Sequence, residues 1–350
     1  MAKKVFVGMS GGVDSSLTAA LLLEQGYDVT GIYMKNWILD LPGWHCPWRE
    51  DLADARAVAD KLGIKLEIFD FQNQYKQKVV DYLLDGYKQG ITPNPDIMCN
   101  QEIKFKLFLE TALESGADMI ATGHYARTKN GKLLMAADSD KDQTYFLARV
   151  TSKALEKTLF PIGEFASKKQ VREEAKKRGL VTANKKDSVG ICFVGKVGIK
   201  EFLSVFVDSE PGPIIDQHGK VIGNHEGAIF YTIGQRQGLG VGGGLPYYVV
   251  GKSMEKNEVY VTSDVTDKEL WTDELKLESV HWISSLSPKD LSDDFMIRTR
   301  HRAPLIKGKL SESNGKWSVK LAKEIRAATP GQSAVIYSGE ACLGSGIITT

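Results

Sequence analysis

Cysteine, net charge and long apolar runs are all scarce in this chain of 350 residues. Its four cysteines include no Cys-x-x-Cys pair, which argues against a disulfide framework and a structural zinc site and fits a reducing compartment. The formal net charge is +1, so a polyanion such as nucleic acid would have to bind a local basic surface. No run of about 18 apolar residues occurs, and the first predicted strand starts too early to leave room for a signal peptide. We therefore expect a cytoplasmic protein without a membrane partner.

Residues 8–16 make a glycine- and serine-rich loop between a predicted strand, residues 5–7, and a predicted helix that Gly26 ends. Glycines let backbone N–H groups approach an oxyanion, and the helix dipole favours negative charge there. The loop has no lysine and so is not a Walker loop. Asp14 instead places a carboxylate at the anion site. If the bound anion is a phosphate group, this arrangement predicts a Mg²⁺ ion that bridges the carboxylate and the phosphates. The alternative is a glycine turn that caps an ordinary helix.

Strand and helix patterns alternate up to about residue 125. They predict a doubly wound parallel sheet of the α/β class. Further strands are expected at residues 28–34, 65–71 and 118–123, and helices at residues 51–62, 75–89 and 100–115. Ligands of such sheets bind beyond the carboxyl ends of the strands, where the glycine loop, Met34 and Gly123 all fall.

The pattern changes twice along the remainder of the chain. A hairpin at residues 128–137 and helices at 152–159 and 168–178 complete the first part. Short alternating strands follow from about residue 198, including one at 228–233, and a β-rich block begins near residue 275. We therefore predict domains at 1–198, 199–274 and 275–350. The G-x-G-x-x-G at residues 238–243 is not followed by a helix, so we reject a dinucleotide site there.

Two cysteines lie in polar or flexible surroundings. Cys99 follows two prolines and precedes a predicted helix, where a thiolate would be favoured. The alternative for Cys99 is a buried small hydrophobe, which is common for free cysteine. Cys192 lies on a loop flanked by Gly190 and Gly195. A tryptophan-rich stretch at residues 36–50 is either a lid or a loop packed by its own aromatics.

Lysine and arginine are concentrated in two segments. Residues 168–200 hold ten Lys/Arg against three Asp/Glu, and residues 298–309 hold five with no acid. Alternation would place Arg298, Arg300 and Arg302 on one face of a strand. Each segment is either a phosphate-binding stripe or an ordinary solvated face.

Six motifs together carry a resemblance to a known family. The first of them resembles the PP-loop of the ATP pyrophosphatases, and the full set closely resembles the bacterial tRNA-specific 2-thiouridylases, the MnmA/TrmU family, over essentially the whole chain. One departure is Arg300-His301, where the family usually has Arg-Tyr. In chain order the motifs are Ser10-Gly11-Gly12-Val13-Asp14-Ser15-Ser16, Asn94-Pro95-Asp96 with Cys99, Gly123-His124-Tyr125, Lys141-Asp142-Gln143, Gly190-Ile191-Cys192 and Thr329-Pro330-Gly331-Gln332.

The resemblance implies an adenine nucleotide α-hydrolase-like PP-loop domain, a small central β-rich domain and a C-terminal β-barrel that contacts tRNA. It implies catalytic roles for Cys99, Cys192 and Asp96. It implies ATP binding by Gly8, Met9, Ser10, Gly11, Gly12, Val13, Asp14, Ser15, Met34 and Gly123. It implies tRNA contacts by Asn94, Pro95, Asp96, His124, Lys141, Asp142, Gln143, Arg300, His301 and Gln332.

The implied reaction is thiolation of the wobble uridine of tRNA. ATP, with Mg²⁺ at Asp14, would adenylate the C2 oxygen, and a persulfide on Cys192 would supply sulfur to C2. Attack by Cys99 on the persulfide would leave a Cys99–Cys192 disulfide. The sulfur would come from a persulfide donor, a cysteine desulfurase or a sulfur-carrier protein, and no permanently bound cofactor is expected.

Two other functions are compatible with parts of the sequence. An amidotransferase-type PP-loop synthetase acting on a small acid would not need the two cysteines or the basic C-terminal block. A nucleotide-binding RNA chaperone would bind the same partners without releasing AMP.

Overall fold

The computed structural model describes residues 2–38, 47–187, 198–242, 246–284 and 295–349. A parallel sheet with the strand order β3-β2-β1-β4-β7 lies at the centre of the first part of the chain. This arrangement confirms the predicted doubly wound α/β fold. The strands of this part are β1 (Lys4–Gly8), β2 (Asp28–Lys35), β3 (Lys65–Asp70), β4 (Met119–Ala121), β5 (Arg127–Lys129), β6 (Lys132–Leu134) and β7 (Thr158–Leu159).

Helices cover both faces of the sheet. Two of the connections are π-helical, Lys76–Val80 and Cys99–Leu107, and one short 3₁₀ turn spans Pro161–Glu164. No helix in the described ranges has the length and apolar character needed to cross a membrane. The α-helices are α1 (Val13–Glu24), α2 (Trp48–Leu62), α3 (Gln72–Tyr75), α4 (Asp81–Lys88), α5 (Pro95–Met98), α6 (Phe108–Glu114), α7 (Thr144–Leu147), α8 (Ser152–Glu156) and α9 (Lys168–Lys177).

Successive residues of β1 bury opposite faces of the sheet, as the two-residue period of a strand requires. Phe6 joins a cluster that includes Phe108 at the start of α6. Val7 joins a second cluster with Leu17 of α1 and Val171 of α9. Because both faces are covered, β1 reads as a continuous apolar run in the sequence.

Three predicted elements differ from the structure. The helix expected from residue 100 begins at Pro95, because Asn94 caps it by accepting a hydrogen bond from Ile97 N at 3.2 Å. The helix expected over residues 152–159 ends at Glu156, and β7 follows as the edge strand of the sheet. The strand expected at residues 228–233 is a 3₁₀ turn at Ala228–Phe230.

The central part of the chain is a small mixed sheet with the strand order β10-β11-β8-β9. A short helix, α10 (Ile199–Leu203), precedes it, although no helix was predicted after residue 198. Burial of Phe202 against Trp37 explains this short helix, since the centroids of the two rings lie 6.3 Å apart in an edge-to-face arrangement. The strands are β8 (Gly212–Ile215), β9 (Val221–His225), β10 (Tyr248–Ser253) and β11 (Glu258–Thr262).

A closed barrel of antiparallel strands forms the last part of the chain. The order β12-β15-β14-β13-β16-β17 is closed by pairing of β17 with β12. The boundary predicted at residues 274/275 falls inside β12, which a 3₁₀ turn at Lys268–Leu270 precedes. The strands are β12 (Trp271–Trp282), β13 (Phe295–Arg298), β14 (Ile306–Ser313), β15 (Lys316–Arg326), β16 (Ser333–Ser338) and β17 (Ala341–Thr349).

The hairpin β5–β6 extends the barrel sheet from the first part of the chain. Leu133 pairs with Cys342 and Leu134 with Ala341, so β6 adds to β17. The guanidinium of Arg127 also lies 3.0 Å from the Glu340 carboxylate. The barrel is thereby attached to the parallel-sheet unit through backbone hydrogen bonds.

A half-buried lysine in the central sheet gives a prediction for stability against pH. Lys252 donates a hydrogen bond to Tyr231 O at 2.7 Å, and desolvation lowers the pKa of its ammonium group to about 8. Between pH 8 and 10.5 the unfolded chain holds this proton and the folded chain has lost it, so this group makes stability rise with pH. The slope it contributes is at most about 1.4 kcal/mol per pH unit.

We expect the unfolding free energy of wild type to rise relative to that of Lys252→Met as the pH increases from 8 to 10.5. Urea melts at several pH values measure it. Lys256→Met, exposed at the turn of the same hairpin, is the matched control and should show a flat difference. A flat difference for Lys252→Met as well would contradict the assignment.

Candidate functional site at the carboxyl ends of the parallel sheet

The glycine loop lies between the end of β1 and the first turn of α1. The helix begins at Val13, so Val13, Asp14 and Ser15 are its first helical residues. Its N-cap is Gly12, which supplies no side-chain hydrogen bond, and the first-turn N–H groups therefore have no capping side chain. Such a helix start binds an anion through its backbone and its dipole.

Close packing fixes the backbone of the loop. Gly11 has φ +71°, and a Cβ there would overlap the carbonyl oxygen of Asp51 at the start of α2. The hydroxyl of Ser15 donates to Gly12 O at 3.1 Å and accepts from Ser10 N at 3.1 Å. The loop is thus preorganised by its own side chains, with glycine required at residue 11.

Met34 and Gly123 border the loop as predicted from the strand ends. A Cβ on Gly8 would lie 3.1 Å from Met34 Cε, and a Cβ on Gly123 would lie 2.7 Å from Ser15 N. The chain after β4 therefore passes directly over the first turn of α1. The residues proposed to bind ATP lie together at this edge of the sheet; Met9 is buried beneath the loop.

Asp14 has two partners that sequence reasoning missed. Lys168 Nζ, at the start of α9, lies 2.7 Å from both carboxylate oxygens of Asp14. The hydroxyl of Tyr125 donates to Asp14 Oδ1 at 3.0 Å. Burial, followed by the neighbouring Asp14 carboxylate, raises the pKa of Tyr125, so its hydroxyl remains a donor. The lysine that the loop lacks is thus supplied by a helix about 150 residues further along the chain.

Lys168 also joins Asp14 to a second carboxylate. Asp187 lies 3.0 Å from Lys168, 2.7 Å from Arg172 and 3.3 Å from Lys141. Burial raises the pKa of Asp187, but its ion pairs with Lys168 and Lys141 outweigh this and hold the pKa below its usual range. Asp187 is therefore an anion that gathers three cations beside the loop.

Four of the eight lysines and arginines in the basic run at residues 168–186 are partly buried and form ion pairs with carboxylates of the parallel-sheet unit. Exposed cations such as Lys176 and Lys186 keep it a candidate phosphate surface. The ion pairs are Lys168 with Asp14 and Asp187, Arg172 with Asp187, Arg178 with Glu24 and Glu174, and Lys185 with Asp51 and Asp54.

Cys99 lies on the helix that starts at Pro95, in its second turn rather than at its N-terminus. It is 3% exposed and packs in the apolar cluster with Ile103. Asp96 is three residues earlier, so the two side chains share a helix face. Burial raises the pKa of Asp96, against the effect of Lys104. Cys192, the other predicted thiol, lies outside the described residues.

His124 connects this helix to the loop after β4. Its Nδ1 lies 2.7 Å from Thr122 Oγ1, and its ring packs against Phe105 at 5.5 Å. Burial, with a further contribution from Lys104, holds the pKa of His124 well below its usual range, so the imidazole is neutral. Since Phe105 of the thiol-bearing helix packs on His124, that helix adjoins the carboxyl edge of the sheet.

The barrel contacts the segment that precedes Cys99. Gln332 Nε2 donates to Thr92 O at 2.8 Å, and Thr92 N donates to Pro330 O at 2.9 Å. Asn94 follows two residues later. The structure therefore brings the 329–332 motif against Thr92, two residues before the Asn94-Pro95-Asp96 motif.

Arg300 and His301 lie in the turn after β13, so the prediction of one strand face carrying Arg298, Arg300 and Arg302 is wrong. The strand ends at Arg298, and Arg302 has φ +62°. Arg300 donates to Ala327 O at 2.7 Å. The ring of His301 packs on Phe146 with centroids 4.5 Å apart.

All three side chains of the segment 141–143 have partners within the protein, and Asp142 among them is buried. Lys141 pairs with Asp187, and Gln143 Oε1 accepts from Tyr125 N at 2.8 Å. Asp142 is 2% exposed and pairs with Arg298 of the barrel at 3.1 Å. Because the Asp142 side chain is buried and paired with Arg298, this geometry disfavours a direct contact between it and tRNA.

Family models match three successive segments of the chain. They are described as a tRNA methyl transferase HUP domain over residues 3–196, a tRNA methyl transferase PRC-barrel domain over 200–263, and an aminomethyltransferase β-barrel domain over 272–348. A U34-tRNA thiolase structure from Methanococcus maripaludis is 19% identical, with a TM-score of 0.36 over 58% of this chain and 65% of that one.

Full-length relatives are much more similar. A tRNA-specific 2-thiouridylase MnmA from Methylobacillus flagellatus is 47% identical over 100% of this chain and 99% of its own length. The protein of the same name from Bacillus subtilis is 46% identical over 99% of this chain and 94% of its own. With matches of this identity along the whole chain, and with the loop, thiol helix and barrel in place, the chain belongs to the tRNA-specific 2-thiouridylase family.

Proposed function

We propose that this protein is a tRNA-uridine 2-sulfurtransferase that adenylates the C2 oxygen of the wobble uridine and replaces it with sulfur. One observation carries the proposal: the loop after β4 contacts both the uncapped helix start and the helix of Asp96 and Cys99. A Cβ on Gly123 would lie 2.7 Å from Ser15 N in the first turn of α1, and the His124 ring packs on Phe105 of the thiol-bearing helix at 5.5 Å. An activating nucleotide and a thiol therefore reach a common edge of the sheet. tRNA is a cytoplasmic substrate, which supports a cytoplasmic location.

The loop would hold ATP by its phosphates. Backbone N–H groups of residues 13–15 and the Ser10 hydroxyl would donate to phosphate oxygens, with Met34 and Gly123 beside the adenosine. The uridine C2 oxygen attacks the α-phosphorus and pyrophosphate leaves, so the oxygen becomes part of an AMP leaving group. The fixed donors at the helix start stabilise the charge that develops on the phosphates.

The residues at the loop fit a magnesium ion that is shared with ATP. Mg²⁺ is usually held by one or two carboxylates together with substrate phosphates, rather than by a cage of protein ligands. No group of three or more His, Cys, Asp or Glu suited to a metal occurs among the described residues. Asp14 would be its carboxylate ligand, and the ion would supply charge neutralisation for the leaving pyrophosphate.

The two thiols would divide the sulfur transfer. A persulfide on Cys192, loaded by a cysteine desulfurase or a sulfur-carrier protein, adds its terminal sulfur to C2, and AMP leaves with the former oxygen. Cys99 then attacks Cys192 Sγ, which breaks the bond between Sγ and the transferred sulfur and leaves that sulfur on C2. The new S–S bond is a Cys99–Cys192 disulfide that external thiol reduces. Asp96, whose pKa burial raises, would hold a proton near C2 as a general acid.

The remaining proposed contacts would place the anticodon. Wobble uridine must leave its stack to reach a buried thiol. Asn94 and Pro95 lie at the start of the thiol helix, and the other residues proposed to contact tRNA are His124, Lys141, Gln143, Arg300, His301 and Gln332.

Incubation with ATP, a persulfide donor and unmodified tRNA tests the function. We expect AMP, pyrophosphate and 2-thiouridine in equal amounts, measured by chromatography of nucleotides and digested nucleosides. The family models carry the words methyl transferase, so S-adenosylmethionine is tested in parallel. Methylated uridine without AMP would overturn the proposal, and tRNA binding without either product would indicate a chaperone.

Lys168 gives a prediction that the sequence did not suggest. Its ammonium group neutralises Asp14 before ATP binds, and it is placed to shift to a phosphate when Mg²⁺ takes the carboxylate. We expect Lys168→Met to weaken ATP binding about tenfold or more, because charge-assisted bonds of this kind contribute about 1.5–3 kcal/mol. Isothermal titration with a non-hydrolysable ATP analogue and Mg²⁺ measures it.

Lys169→Met is the matched control, since the Lys169 side chain is 85% exposed and lies 3.8 Å from Glu173 of its own helix. Its affinity for the analogue should match wild type. Equal affinities for all three proteins would show that Lys168 serves only to neutralise Asp14.

A further inference from the structure

A buried ion pair joins the barrel to the parallel-sheet unit. Arg298 Nη1 lies 3.1 Å from Asp142 Oδ2, with side chains 12% and 1% exposed. Asp142 belongs to the segment between β6 and α7, and Arg298 is the last residue of β13. A buried charge of this kind requires its partner, because an unpaired charge in such a place is strongly disfavoured.

Hydrogen bonds occupy the rest of the carboxylate. Asp142 Oδ1 accepts from Ala136 N at 3.0 Å, and Oδ2 accepts from Thr144 Oγ1 at 2.7 Å. Thr144 in turn lies 3.2 Å from the hydroxyl of Tyr337, whose ring the Arg298 guanidinium covers at 5.6 Å. The pair is thus built into a polar network that includes residues of both units.

The pair lies between two sets of proposed tRNA contacts. Asp142 is flanked by Lys141 and Gln143 in the parallel-sheet unit. Arg298 is two residues before Arg300 in the barrel. The Asp142 carboxylate is negatively charged and surrounded by donors, so it would repel a tRNA phosphate. Arg298 is buried against Asp142 and is therefore not available to bind a phosphate.

We propose that Asp142 and Arg298 form an interdomain latch, a pair of positioning residues that keeps the two sets of tRNA contacts at a fixed distance and orientation. Neither residue touches tRNA. This inference rests on the proposed tRNA substrate and concerns how the substrate is held.

The effect of such a latch follows from multivalent binding. Two contact sets on one rigid body bind a single tRNA with a gain in affinity that depends on their spacing. When the ion pair is broken, each contact set still binds tRNA. The second set is then no longer held at the right distance and orientation, so its effective concentration for the bound tRNA is lower. The expected loss is in tRNA affinity and KM, while the chemistry at the bound uridine and the affinity for ATP are retained.

The test is a double-mutant cycle of Asp142→Asn, Arg298→Gln and the double variant. We expect each single variant to raise the KM for tRNA about tenfold with kcat within about threefold of wild type. The double variant should be no worse than either single one, because all three remove the same pair. The slope of log K against log salt for tRNA binding should stay at the wild-type value.

Two further variants keep the test decisive. Arg298→Lys retains a cation opposite Asp142 and should keep a KM near wild type even where a charge-removing single variant folds poorly. Lys309→Gln removes an exposed barrel cation outside the latch, so its effect should add to that of Asp142→Asn. Thermal melts confirm that each variant is folded.

Three results would overturn the latch: additive losses in the double variant, a slope reduced by about 1 in Arg298→Gln as for a phosphate contact, or a fall in kcat at unchanged KM. Wild type that binds no tRNA would instead contradict the proposed substrate. The two failures are therefore distinguishable.

Discussion

We expect Cys99→Ser to abolish 2-thiouridine formation in a protein that still folds and still releases AMP from ATP and tRNA. Serine is close in size to cysteine, so the apolar cluster around this 3% exposed side chain is retained, while a hydroxyl is a far weaker nucleophile toward sulfur. Thiouridine should fall by at least about a thousandfold, to the detection limit. Mass spectrometry of digested tRNA measures the product, and intact mass of the protein shows whether persulfide still loads on Cys192.

Cys342→Ser is the matched control for this variant. Cys342 is as buried as Cys99 but lies in β17. Burial raises the pKa of its thiol, so it stays protonated and takes no part in the transfer. Full activity of Cys99→Ser, or loss of activity in Cys342→Ser alone, would reverse the assignment. Extra sulfur found on Cys99 in Cys192→Ser would exchange the roles of the two reactive cysteines.

Asp14→Asn should stop pyrophosphate release while ATP is still bound weakly. Asparagine keeps the hydrogen bond to Tyr125 but is a poor ligand for Mg²⁺, so the metal-assisted step is lost. We expect a decrease of about a thousandfold in the rate of pyrophosphate release, of the size seen when a single stabilising group is removed from an active site. A coupled phosphate assay with saturating tRNA measures it.

Tyr125→Phe separates the charge of Asp14 from its orientation. It removes the 3.0 Å hydrogen bond and leaves the carboxylate, so we expect a loss of about tenfold or less. Asp28→Asn, at an exposed position at the start of β2, should leave the rate unchanged. A wild-type rate in Asp14→Asn would show that the carboxylate serves only as the partner of Lys168.

Apolar runs and glycine positions along the sequence predict the helices and strands that form from neighbouring residues. The strand, loop and helix around Asp14 follow from apolar runs and glycine, and the parallel sheet follows from the alternation of such runs. The predicted start of the Cys99 helix is five residues too late because two prolines before Cys99 indicate a non-helical backbone, whereas proline at the first helical position is favourable. The short strand β7 has too few residues to show a period.

Contacts between distant segments were outside the reach of these patterns. Lys168 was predicted only as part of a basic helix, because no local feature indicates its carboxylate partner in α1. Alternation places Arg298 on one strand face with Arg300 and Arg302, either binding phosphate or solvated, but in the barrel it pairs with Asp142. Both outcomes depend on how the units pack, which charge patterns along the chain do not encode.

The pairing of β6 with β17 has a consequence for biosynthesis. Leu133 leaves the ribosome about 200 residues before its partner Cys342, so the edge of β6 stays without its neighbour until the barrel is made. Open strand edges recruit other chains, and contacts this distant in sequence form slowly. Nascent or truncated chains that lack the last strand should therefore aggregate more readily than the complete protein, even though the parallel sheet itself is finished early.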